Sequence, residues 1–152
     1  MDALTAPLGM VSEFPSDAQG NFSSGADEAK DYFVEKDGVR FAGTHLIIDL
    51  WGATNLDDPA HIDDVLREAA IATGATILHG HFHHFQPNGG VSGVLVLAES
   101  HVSIHTWPEK AFGALDIFVC GVCDPYKAIP VLKKGFLPER VQLGEHRRGI
   151  SV

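Results

Sequence analysis

Apolar and polar residues alternate in short runs from Tyr32 onward, and helical spacing breaks that alternation twice. Tyr32-Phe-Val-Glu-Lys36 and Val39-Arg-Phe41 flank Asp37-Gly38, a hairpin signal. Gly43 to Trp51 predicts a central strand with Leu46, Ile48 and Leu50 on one face and His45, Ile47, Asp49 and Trp51 on the other. Asp58-Pro59 then offers an N-cap followed by proline at the first helical position, and Ile62, Val65, Leu66 and Ala69 repeat at helical spacing as far as Gly74. Ala75 to Phe85 predicts a strand, Pro87 to Gly90 a turn, Val91 to Ala98 a returning strand and Lys110 to Val119 a further one. Asp124-Pro125 repeats the cap signal for a helix ending near Gly135, with Pro130 as an interior flaw, and Arg140 to Glu145 closes the pattern as a strand. The order is strand, helix, three strands, helix, strand. It fits an α+β two-layer sandwich, a mainly antiparallel sheet with its helices on one face.

The segment from Ser92 to Glu109 departs from ordinary packing. Its apolar alternation stops at Glu99-Ser100-His101 and resumes with His101, Ser103 and His105 on one face against Val102, Ile104 and Thr106. Such polar groups cost free energy if buried unpaired, so that face is either a satisfied hydrogen-bond ladder or a site.

Composition narrows the classes. The chain has 152 residues, enough for one domain, with 45% hydrophobic and 20% charged residues. A net charge of −9 argues against a nucleic-acid partner and mildly favours a cationic substrate. No apolar run is long enough to span a membrane and no secretory signal pattern is read at the N-terminus, so a cytoplasmic protein with free thiols is expected. Residues 1–30, rich in Gly, Ser, Asp and Ala, are expected to be a flexible arm ahead of a domain over 31–152.

Two further constellations carry less weight. His79, His81 and His83 would share one strand face, but neighbours there lie ~6.5–7 Å apart, an awkward span for three nitrogens on one zinc ion, and no metal is expected. Cys120 and Cys123 form a CxxC motif outside the βαβ setting that a thioredoxin-like redox site requires.

Glu99-Ser100-His101, Ser103-Ile-His105-Thr-Trp-Pro-Glu109 and Asp116-Ile-Phe-Val-Cys120-Gly121 together resemble the prokaryotic S-adenosylmethionine decarboxylase proenzyme family. The resemblance runs from about Gly43 to Gly149 and includes Gly43-Thr-His-Leu, His84-Phe-Gln-Pro and Glu145-His-Arg-Arg-Gly149. It implies self-cleavage between Glu99 and Ser100 into residues 1–99 and 100–152. Ser100 would become a pyruvoyl group that forms a Schiff base with substrate. A hydroxyl attacking its own preceding carbonyl is intramolecular and gains from positioning. Elimination from the resulting ester, then hydrolysis, leaves the ketone. The resemblance assigns His105 as the processing base and Ser92 as its processing partner, roles that suit a neutral imidazole and a hydroxyl donor.

Loss of CO₂ from an amino acid needs an electron sink, and the pyruvoyl group is the cofactor implied. The resemblance places Cys120 as proton donor, Phe85 and Trp107 as plates around adenine, and Glu109 as acceptor for the ribose hydroxyls. The substrate implied is S-adenosylmethionine, whose sulfonium suits aromatic faces. The product would serve polyamine synthesis. Arginine or ornithine decarboxylation by the same chemistry, or a non-catalytic unprocessed relative, are the alternatives. The resemblance also implies at least a homodimer of cleaved chain pairs. Where the family commonly carries aromatic residues after Trp-Pro-Glu, this chain has Lys110-Ala-Phe-Gly113.

Overall fold

The computed structural model describes residues 33–151, so the arm expected over residues 1–30 lies outside the described residues. A short hairpin, β1 (Val34–Lys36) and β2 (Val39–Phe41), turns at Asp37 and Gly38, whose φ angles of 56° and 73° are those of the hairpin turn that the pair signals. There follow β3 (Gly43–Trp51), α1 (Pro59–Ala72), β4 (Ile77–His84), β5 (Val91–Leu97), β6 (Ser100–Trp107), β7 (Phe112–Cys120), α2 (Ala128–Phe136) and β8 (Arg140–Arg148). β3 to β8 form one six-stranded sheet in the order β4-β5-β6-β7-β3-β8, and every pairing is antiparallel.

Four strands, not three, lie between the helices, because the polar segment after Glu99 is a strand of its own. Lys110 falls instead in a 3-10 turn over Pro108–Lys110. β8 runs three residues past Glu145, since β3 offers it partners as far as Gly43↔Arg148.

The first cap behaves as its sequence predicts: the Asp58 carboxylate accepts from the N–H groups of Ala60 and His61 at 3.0 and 3.2 Å, worth about 1 kcal/mol. Asp124 instead caps a 3-10 turn over Pro125–Lys127 that leads into α2. Pro130 sits in the first turn of α2, where a backbone N–H has no intrahelical acceptor, so it is no flaw there.

Both helices cover one sheet face. Ile62, Leu66, Ala69, Leu132 and Phe136 pack against Leu46, Ile48, Leu50, Leu95, Val102, Ile104 and Ile117 to make the core. The alternate residues of the same strands point to the opposite face, called outer below; there Ile47, Val94, Val96 and Trp107 are exposed. Among the described residues no helix is long and apolar enough to cross a membrane.

Candidate active site

β5 and β6 join at Ala98-Glu99, a two-residue connection between the paired Leu97 and Ser100. Glu99 has φ 62°, a left-handed conformation that costs a non-glycine residue about 1–2 kcal/mol. The Glu99–Ser100 bond therefore sits at a strained hairpin tip. Ser100 is held from the neighbouring strand, where the backbone N–H of Cys120 donates to its Oγ at 3.2 Å. Across the next pairing, Gly43 faces Cys120, and a Cβ there would stand 2.4 Å from the Val119 carbonyl oxygen and 3.1 Å from the Cys120 Sγ. Only glycine lets β3 pass so close to the thiol. Burial pushes the Cys120 thiol pKa up, the Glu99 carboxylate and Cys123 add to that, and the Ser100 hydrogen bond opposes it. The net effect keeps the thiol protonated at neutral pH.

The other candidates gather at the far end of β6. Ser92 Oγ and His105 Nδ1 are 2.8 Å apart on paired residues of β5 and β6. His105 stacks beside Trp107, and the aromatic row continues through Phe112 to Trp51 across β7 and β3, with ring centroids 6.3, 5.3 and 4.3 Å apart in turn. Phe85 lies in the same lateral row as Trp107, with Gly90 between them: the Phe85 N–H donates to the Gly90 carbonyl at 2.8 Å. Two strand spacings separate the two backbones by roughly 10 Å. A Cβ on Gly90 would meet the Thr106 carbonyl oxygen at 2.9 Å. Phe85 is 45% and Trp107 39% exposed, so neither belongs to the core. Glu109 is exposed on the turn that follows Trp107.

These two groups do not meet within one chain. Five residues of extended strand separate Ser100 from His105, roughly 16 Å. The expectation that a base and an oxyanion donor stand beside Ser100 is met in one chain by neither His105 nor Ser92.

A third cluster, not expected as a unit, lies on the outer face near Ser100. His45 Nε2 and His101 Nε2 both reach Asp116 Oδ2, at 2.7 and 2.9 Å, and the Ser103 hydroxyl donates to Oδ1. Burial pushes the Asp116 carboxyl up, but hydrogen bonds from Ser103, His45 and His101, with the His101 charge, outweigh it and hold the carboxyl below the ordinary range. The potential ligand atoms of His45, His101 and Asp116 lie within 4.8 Å of one another. Arg148 decides how they are used. Its guanidinium donates to His45 Nδ1 at 3.1 Å, and because arginine only donates, Nδ1 must accept and Nε2 must carry the proton. A protonated Nε2 bonds the carboxylate and is closed to a cation.

His79, His81 and His83 share the outer face of β4, as the alternation predicts, and bracket no common centre of this kind. Cys120 and Cys123 are both free thiols, with the Cys123 N–H turned back to the Cys120 carbonyl at 3.4 Å.

The protein is thus an α+β domain whose sheet sets a serine directly after a left-handed residue and beside a thiol, with exposed aromatic residues at the far end of the same strand. The sequence profile of the S-adenosylmethionine decarboxylase family matches residues 44–149. The S-adenosylmethionine decarboxylase proenzyme of Thermomicrobium roseum is 42% identical over 115 residues, 75% of this chain and 99% of the relative. That of Methanococcus maripaludis is 45% identical over 111 residues, 71% of this chain and 90% of the relative. The crystal structure of the adenosylmethionine decarboxylase from Aquifex aeolicus VF5 superposes with a TM-score of 0.64 at 34% identity, covering 74% of this chain and 94% of that one. The chain belongs to the S-adenosylmethionine decarboxylase family.

Proposed function

We propose that this chain is a cytoplasmic, self-processing S-adenosylmethionine decarboxylase that cuts itself after Glu99 and supplies the aminopropyl donor for polyamine synthesis. The observation that carries this reading is the Ser100 hydroxyl, held by the Cys120 N–H at 3.2 Å directly after the left-handed Glu99. Nucleophile, the carbonyl of a left-handed residue and thiol converge at one hairpin tip. The residues fit a pyruvoyl group made from Ser100, which would supply an electron sink for the loss of CO₂. The chain's own groups do the rest. Cys120 holds a proton on Sγ for delivery to the product carbon. Phe85 and Trp107 clamp the adenine over Gly90, and Glu109 accepts from the ribose hydroxyls. Ser92 and His105 act together in processing.

Because Ser92 and His105 stand roughly 16 Å from Ser100 along β6, we assign their contribution to a second copy. A two-fold interface between outer faces sets the Ser100 end of one sheet against the Ser92–His105 end of the other, since such a contact is reciprocal. The exposed Val94, Val96 and Ile47 between those ends suit burial in that contact.

Intact mass spectrometry tests the reading. Two fragments are expected, the C-terminal one carrying a ketone in place of the Ser100 amine, together with release of CO₂ from S-adenosylmethionine. An active protein recovered as one uncut chain would refute it.

A further inference from the structure

Cleavage creates a mechanical problem at the reacting group. In the uncut chain the start of β6 is held by the covalent Ala98-Glu99 turn. A cut after Glu99 makes residue 100 a chain terminus, and terminal residues fray unless something ties them down. Residue 100 would keep its ladder pairing with Leu97 on β5 but lies beyond the last β7 pair, His101↔Phe118, so its distance from Cys120 would vary with each opening of that end.

The outer face holds a tie at the right place. Asp116 lies on β7, four residues before Cys120, and accepts from residues one and three beyond Ser100: Oδ2 takes His101 Nε2–H at 2.9 Å and Oδ1 takes the Ser103 hydroxyl. One carboxylate thus pins two consecutive outward positions of β6. His45 on β3 donates to the same Oδ2 at 2.7 Å, and Arg148 on β8 fixes the tautomer of His45 from behind. The chain of bonds crosses four strands. The rings of His101 and His45 and the Arg148 guanidinium also close on Phe118, at 5.8, 5.5 and 5.8 Å, two residues from the thiol.

We propose that the Asp116 carboxylate, oriented by His45 and Arg148, anchors the new N-terminus of β6 after cleavage and so fixes the group at position 100 against Cys120. Asp116 and His45 are positioning residues for the decarboxylation, not for the cut. The inference rests on the self-cleavage proposed above.

Asp116→Asn in the full chain, compared with Asp116→Asn in an uncleavable Ser100→Ala background, tests it. Cleaved Asp116→Asn is expected to lose kcat by about 10- to 100-fold with KM little changed, as for a reacting group displaced by an ångström. The amides of residues 101–103 should exchange at least about tenfold faster than in the cleaved wild type. In the uncut background the same substitution should leave their exchange nearly unchanged, because the turn still holds the strand. His101→Gln, which retains an N–H donor, should recover turnover that His101→Ala loses. Wild-type kcat and protection in cleaved Asp116→Asn would overturn the proposal. So would equal loss of protection in both backgrounds, equal turnover in the two His101 variants, or an Asp116→Asn chain that stays uncut. A wild-type chain that stays uncut would refute the cleavage itself.

Discussion

The backbone N–H of Cys120 donates to Oγ of Ser100, so the residue expected to be cut and the residue expected to donate a proton are joined before any reaction occurs. The contact uses the Cys120 backbone, so it persists when the side chain is removed. Cys120→Ala should therefore still cleave fully while turnover falls by about 10²- to 10⁴-fold, the usual worth of a positioned acid. Denaturing gels and CO₂ release read the two effects separately, and unimpaired turnover would remove Cys120 from the reaction.

Glu99 raises the Cys120 pKa through its charge, in addition to the larger effect of burial. In a Ser100→Ala chain, which stays uncut, Glu99→Gln should lower that pKa, and thiolate should appear at lower pH. The pH dependence of alkylation by iodoacetamide, measured with Cys123 replaced by Ser, reports it. An unchanged or upward-moving profile would contradict this electrostatic account.

The separation of His105 from Ser100 makes a prediction about mixtures. Ser100→Ala and His105→Ala chains should each stay uncut alone. Co-expressed, they should yield cleaved His105→Ala chains, because the Ser100→Ala partner supplies an intact imidazole. Absence of any cleaved product in the mixed assembly would place the processing base elsewhere.

Gly90 lies between Phe85 and Trp107 in the strand register, and a Cβ there would meet the Thr106 carbonyl oxygen at 2.9 Å. Gly90→Ala should raise KM for S-adenosylmethionine about tenfold or more while self-cleavage proceeds. A KM equal to the wild type would argue that adenine binds away from Phe85 and Trp107.

Asp116 has a depressed pKa in the folded state, so the stability it contributes is present above the ordinary carboxylate pKa and is lost as pH falls through the lower folded value. Thermal denaturation should show this loss beginning below about pH 4. Asp116→Asn should flatten that acid limb and leave the neutral region with a lower Tm.

Much of this was legible in one dimension. Alternation located β3 to its terminal residues, and Asp58-Pro59 marked the start of α1, because both signals are local and backed by core burial. The Ser100 strand was harder to separate from its neighbour: its turn is Ala98-Glu99, which lacks the glycine or asparagine that usually marks a left-handed hairpin position. The His45–Asp116–His101 cluster had no local signature at all. Its members stand 71 and 15 residues apart, and only the register of β3, β6 and β7 brings them to one carboxylate. Conversely, the motif that drew His105 and Ser100 together in sequence concealed the length of strand between them.

The strand order β4-β5-β6-β7-β3-β8 has a consequence for the cut molecule. The first fragment would own β4, β5 and β3, and the second β6, β7 and β8, so β3 would be wedged between two strands of the other piece. Each fragment would also keep one helix. The halves are dovetailed, and neither can withdraw without dismantling the sheet; a protein born as one polypeptide would persist as an obligate pair that dilution cannot part.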